Sequence, residues 1–233
     1  MSTFTWLTGH KPVLTQAQLE RRQQLAEAAS LDNRTLQQRF VVLDLETSGL
    51  NMRRDVVLSI GAVVIDNSAI DLSQQFECTL QREGHQASAS TLIHGIAPSE
   101  IARGEEPADA LLAFMEFVGD SPLLAFHAEF DQRMLARALK QSLGYRLQHA
   151  FFDVAEIAPL LCPKANVGKA GLDSWTQHFG LQVHQRHHAS ADALVTAELA
   201  LILFSKARQQ GLDSLLALQQ QLNSRRRQRA HSM

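Results

Sequence analysis

Cysteine is scarce in this chain of 233 residues: Cys78 and Cys162 stand far apart and neither belongs to a CxxC pair. That leaves no disulfide framework and no thiolate zinc site, and it fits a reducing cytosol. Long apolar runs are missing as well. Nowhere do about 18 apolar residues follow one another, and the opening MSTFTWLTGHKPVL has no basic region leading into an apolar stretch. The expectation is a soluble, unexported, cytoplasmic protein with no membrane partner. An excess of positive charge is also absent: 22 Lys and Arg against 24 Asp and Glu leave a net charge of −2. A protein that coats polyanions broadly is therefore disfavoured.

What is present is an ordinary globular composition, 45% hydrophobic and 20% charged, enough to bury one core. Residues 1–38 are polar, and TQAQLERRQQLAEAASL sets Leu19, Leu25 and Ala26 at helical spacing behind a candidate cap, Thr15. This predicts an N-terminal helical extension. From Phe40 the pattern turns strand-like in VVLDL, in 56–65 and in 74–80, with turn signals at Ser48-Gly49 and Asp66-Asn67-Ser68, which predicts an antiparallel meander. Alternation follows: helices near 107–118, 129–141, 154–161, 172–179 and 189–208, with short strands at 122–126 and 150–153. Strands first and alternation afterwards predict an α/β protein with a mixed sheet covered by helices, over 39–208. Residues 209–233 read as a helical, basic tail, frayed at SRRRQRAHSM.

The chemistry-bearing residues are carboxylates. In a strand, side chains at i and i+2 share a face, so Asp44 and Glu46 project together while Leu43 and Leu45 enter the opposite side. Adjacent anions are costly unless a cation lies between them, and oxygen donors without cysteine select Mg²⁺ or Mn²⁺ over zinc. Asp131 sits in the first turn of HAEFDQRML, where Phe130, Met134 and Leu135 can face the core. Asp192 lies early in ASADALVTAELALI, just after His187 and His188. Each of the last two acids alone reads as a residue stabilising a helix start.

Taken in order, the fragments DLETSGL, HAEFD and HHASADA resemble the DxETTGL, NAxFD and HxAxxDA motifs of the DEDDh, or DnaQ-like, 3′–5′ exonucleases. LIHGIAPSEI resembles that family's HGI segment. The resemblance runs from about 39 to 208. It implies a ribonuclease H-like fold in which Asp44, Glu46, Asp131 and Asp192 hold two divalent metal ions, Mg²⁺ or Mn²⁺, for hydrolysis of a phosphodiester. Such ions lower the pKa of a water and offset charge on the phosphate and leaving oxygen. They would also let a chain without a basic face grip a few terminal nucleotides.

The family's HxAxxD spacing implies that His187 takes the water's proton, with His188 in the variable position. On the substrate side it implies Thr47, Leu50, His94 and Phe130. His94 could equally make a structural hydrogen bond in its turn, and Leu50 could be a core leucine. Two departures stand out: His127 where the family usually has Asn, and Ser48 for the commoner second Thr.

The expected activity is release of nucleoside 5′-monophosphates from 3′ ends of DNA, single-stranded by preference, with a DNA polymerase as a possible partner. Competing readings are trimming of RNA 3′ ends or short oligoribonucleotides, a zinc site among His178, His184, His187 and His188, and a non-catalytic binding module. The oligomeric state stays open.

Overall fold

FVVLDLET forms the central strand, β1 (Phe40–Thr47), in a computed structural model of the protein. The structure describes residues 12–32, 34–87, 89–165, 167, 171–183 and 186–231; His184 lies outside them. Strand β2 (Val57–Asp66) pairs antiparallel with β1, and β3 (Ala69–Thr79) antiparallel with β2, the expected meander. The β2–β3 turn places Asn67 and Ser68 at φ 49° and 63°, the left-handed pair that closes a tight hairpin without splaying its strands. Strands β4 (Leu123–Ala125) and β5 (Phe151–Asp153) add parallel to β1, giving the five-stranded order β3-β2-β1-β4-β5. This is the expected α/β ribonuclease H-like mixed sheet flanked by helices.

The alternation in β1 divides the core. Val41, Leu43 and Leu45 join the cluster with helices α4 (Pro107–Val118) and α5 (Ala128–Leu143). Phe40 and Val42 face the other cluster, built from α6 (Val154–Leu161), α7 (Leu172–Phe179), α8 (Ala189–Gln209) and α9 (Leu215–His231). Burial on both faces explains why VLSIGAVVI in β2 is an unbroken buried run rather than an alternating one. Phe40 meets Phe204 of α8 with ring centroids 5.0 Å apart, a contact worth about 0.5–1.5 kcal/mol beyond the area it buries.

The N-terminal helix is α1 (Gln16–Gln24), started by Thr15, whose hydroxyl accepts from the Gln18 backbone while the Gln18 side chain accepts from the Thr15 backbone. Leu25 caps its end and Ala26 lies beyond it, so the helix is shorter than the apolar spacing suggests. It docks on α4 through Arg21, paired with Glu116 at 2.8 Å and Asp109 at 3.2 Å. Two short helices, α2 (Ala89–His94) and α3 (Pro98–Ala102), were not expected. Nor is the tail frayed at SRRRQRAH, since α9 continues to His231. Leu215, Leu218 and Leu222 recur every three or four residues and are buried in the second cluster, beside α6, which anchors a helix otherwise rich in Gln and Arg. No helix among the described residues is long and apolar enough to cross a membrane.

Candidate active site

Asp44 and Glu46 point from the last half of β1 toward α8, while Leu43 and Leu45 are sealed on the other side. Their partners across the ladder are Gly61 and Ser59. Gly61 is what lets α8 come close: a Cβ there would lie 2.1 Å from the Ser190 nitrogen and 2.2 Å from the Ala189 carbonyl carbon. A glycine inside a strand often marks such an approach of another backbone. The first turn of α8 thereby brings Asp192 down onto Asp44 and Glu46, and oxygen atoms of these three side chains lie within 4.8 Å of one another.

Asp131 enters from the start of α5 and is buried. The backbone at Asp131 and Leu45 favours its charged form against burial, and its charge adds to the field at Asp44. Burial raises all three of the acids it concentrates here: Asp44 well above the usual range, with Asp131, Glu46 and Asp192 adding to it, Glu46 to about 7 and Asp131 to about 8. Asp44, Glu46 and Asp192 so crowded fit a bound divalent cation, because the donors are all hard oxygens and their mutual repulsion rewards one; Asp131 is not part of that group of three and adds its charge at Asp44. No histidine or cysteine belongs to this group among the described residues.

The adjacent histidines part ways. His187 has φ 60°, is exposed at the cleft, and donates its backbone N–H to Asp192 Oδ2 at 3.0 Å. His188 is the residue before the helix; its Nδ1 lies 3.0 Å from Ser190 Oγ and its Nε2 3.3 Å from Glu77 Oε1, so it is turned toward β3. His178 packs its ring on Trp175 and Phe179 at the far end of α7. The described histidines thus do not form the zinc cluster weighed above.

A cleft of about 1100 Å³ opens beside the acids. Thr47, Leu50, His94 and Phe130 all line it. Leu50 is 84% exposed, which excludes a core role, and Ile93 of α2 is exposed beside it at 58%. His94 makes the turn hydrogen bond, accepting from the Ile96 backbone at Nδ1 (3.0 Å), and its buried Nε2 has no partner. Burial lowers its pKa, so it is neutral with the proton on the buried Nε2. Thr47 donates its hydroxyl to the Gly49 carbonyl at 2.9 Å. Ser48 keeps the role a threonine hydroxyl could fill: it donates to Asp55 and accepts from the Val56 backbone.

His127 stands in the left-handed region, at φ 63° and ψ 46°, where Asn and His are among the few non-glycine residues tolerated. Its backbone N–H donates to Asp153 Oδ1 at 3.0 Å, and the same oxygen caps α6 through Ala155. The substitution of His for Asn thus preserves the turn that presents Asp131.

Sequence reading missed several residues. Asp153 fixes the His127 turn, and Asp55 organises the 48–55 loop by accepting from the Asn51 backbone at 2.7 Å. Arg186 contacts Asp192 directly and reaches Asp173 of α7 at 2.5 Å, placing a guanidinium at the edge of the acid group. The acid in FFDV and the arginine just ahead of the histidines were visible signals; their partners were not.

A family model described as Exonuclease matches residues 41–200. The PolC-type DNA polymerase III of Clostridium perfringens is 30% identical over 173 residues, 73% of this chain and 12% of that protein. The PolC-type polymerase of Thermotoga maritima is 29% identical over 176 residues, covering 76% of this chain and again 12% of the relative. The chain therefore spans about an eighth of the length of these relatives. Among solved structures, E. coli exonuclease I in a zinc-bound complex with single-stranded DNA superposes with a TM-score of 0.63 at 21% identity, covering 76% of this chain and 42% of that one. The same enzyme with a dA16 oligonucleotide gives 0.63 at 17% identity, over 74% and 42%. With the carboxylates gathered at one end of a ribonuclease H-like sheet and a family model covering most of the chain, this protein belongs to the DEDDh, DnaQ-like exonuclease family.

Proposed function

We propose that the chain hydrolyses the last phosphodiester at the 3′-hydroxyl end of DNA, single-stranded by preference, and releases a nucleoside 5′-monophosphate. The observation that carries this reading is the convergence of Asp44, Glu46 and Asp192 at the mouth of a cleft with an apolar rim. Asp44, Glu46, Asp131 and Asp192 would hold two divalent cations, Mg²⁺ or Mn²⁺. Bound there, such ions acidify a water and neutralise charge on the phosphate and the departing 3′ oxygen.

The protein's own groups do the rest. His187, exposed at the cleft and tied to Asp192 through its backbone, accepts the proton from the attacking water as the new P–O bond forms and the P–O3′ bond breaks. His94, on the cleft lining, contacts the terminal nucleotide. Leu50 and Phe130 enclose its base, with Thr47 shaping the floor. DNA is favoured over RNA because the relatives are DNA polymerases and the structural neighbours hold DNA oligonucleotides. The match to a short segment of much longer polymerases also supports a polymerase partner.

The test is digestion of matched DNA and RNA oligonucleotides, single- and double-stranded, with Mg²⁺ or Mn²⁺. The expected result is mononucleotides with 5′ phosphates appearing first from the 3′ end of single-stranded DNA. Faster loss of the RNA would overturn the substrate assignment, and no product from any strand would overturn the activity.

A further inference from the structure

Helix α9 carries an arginine cluster to the active-site end of the molecule. It begins at the opposite end: Leu215 donates to the Arg34 carbonyl at 3.0 Å, and Leu36 to the Asp213 carbonyl at 3.2 Å, just ahead of β1. From there α9 runs along α6, with Leu215, Leu218 and Leu222 buried and Leu216 exposed. The rise from Leu215 to Arg226 is about 16 Å at 1.5 Å per residue. Arg226 then meets Glu156 in the first turn of α6, with Nε at 2.8 Å and Nη2 at 2.5 Å from Oε2. That turn is capped by Asp153, the residue that holds His127 on the cleft wall. The fields of Asp153 and of Glu129, in the first turn of α5, also reach Arg226.

The charge of this element differs from that of the chain. LLALQQQLNSRRRQRAH holds four arginines and no acid, in a protein whose net charge is −2. Arg226 remains 55% exposed while paired, and Arg227 is exposed too. The acids whose charge reaches Arg226 are Glu156, Asp153 and Glu129, the last paired with Arg133. Each guanidinium matches a phosphate in charge and in its fork of donors, and the buried apolar stripe holds the helix that carries them.

Resting on the exonuclease reading above, we propose that Arg225, Arg226 and Arg227 form a phosphate track for the strand 5′ of the scissile bond, which leaves the cleft over His127 and the start of α6. The cleft holds the terminal nucleotide; the track adds affinity only for strands long enough to reach it. The arginines grip backbone and not bases, so the contribution is indifferent to sequence and sensitive to salt.

The experiment measures the affinity of the full chain for 5′-labelled single strands of 4 and 16 nucleotides by fluorescence anisotropy in Ca²⁺. Strand integrity is checked on a gel and the salt concentration is varied. For R225Q/R226Q/R227Q we expect the 16-mer to bind at least tenfold more weakly and the 4-mer to change less than twofold. Each lost phosphate contact removes about 0.7 from the log–log salt slope of a single strand, so the slope should become shallower by about 2. The R225K/R226K/R227K protein should keep most of the affinity, and Glu156→Gln, which frees Arg226, should tighten the 16-mer.

Melting curves keep unfolding from being read as lost binding, and the lysine variant tests the track even if the glutamine variant is unstable. Equal affinity and equal salt slope for wild type and glutamine variant would overturn the track and leave the patch to an acidic protein partner. Separate digestion in Mn²⁺ tells the two claims apart: no cleavage counts against the nuclease reading, whereas length-independent binding counts against the track alone.

Discussion

Gly61 and Ala189 touch backbone to backbone: a Cβ on Gly61 would fall 2.2 Å from the Ala189 carbonyl carbon and 2.6 Å from its oxygen. Because Gly61 is also the ladder partner of Asp44, this contact sets the height at which α8 delivers Asp192 to the other acids. The backbone on both sides is fixed by sheet and helix, so no flexible side chain can give way. Gly61→Ala should cost about 1–3 kcal/mol, the usual range for overpacking a core, and should abolish nuclease activity by lifting Asp192. Urea unfolding alongside a Mn²⁺ nuclease assay checks both; a stable, fully active Gly61→Ala protein would show that α8 is not held at this point.

The raised acids predict how stability depends on pH without metal. Burial lifts Glu46 to about 7 and Asp131 to about 8, with Asp44 raised as well, against ordinary carboxylate values of about 4. Between those limits the folded protein binds more protons than the unfolded chain, so stability falls as pH rises. In EDTA, the melting temperature should decline from pH 5 to pH 8, and Mn²⁺ should flatten the upper part of that decline. Asp44→Asn should also reduce the slope. A level profile in EDTA would mean that the acids are not crowded in solution.

His187 and His188 should separate cleanly. A general base contributes about 10²–10⁴-fold, so His187→Ala should lose single-turnover rate on that scale. His188, occupied by Ser190 and Glu77, should change it less than about tenfold when replaced by Ala. If the second variant is the crippled one, the roles are reversed.

Leu50 is an exposed apolar side chain at the cleft, and covering one such side chain is worth roughly 1.5–3 kcal/mol at full burial. Leu50→Ala should raise KM about tenfold with little loss of kcat and no fall in melting temperature. A large loss of stability instead would restore the structural role.

Most of this site could be read from the chain because its acids sit in local contexts that fix their direction. Asp44 and Glu46 share a face by strand geometry, and Asp192 follows a helix start. His127 looked like a defect in its motif, yet its left-handed backbone is one that His tolerates. What escaped reading depends on distant partners: Asp153 beneath His127, Arg186 between Asp173 and Asp192, and Glu156 waiting for Arg226. Helices α2 and α3 are too short for a hydrophobic period to emerge. The strand-interior Gly61 reads locally as a weakness and gains its meaning only once α8 is placed against it.

In the proposed mechanism Asp44 is a ligand of catalytic metal rather than merely a crowded acid. The most direct measurement compares wild type and Asp44→Asn in one preparation, following mononucleotide release from a single-stranded DNA 3′ end in Mn²⁺ and thermal melting in EDTA. Removing one anion from the group relieves repulsion, so the variant should melt at the same temperature or higher without metal. Its turnover should fall by several orders of magnitude. An Asp44→Asn protein that cleaves at close to the wild-type rate would contradict the assignment of the site.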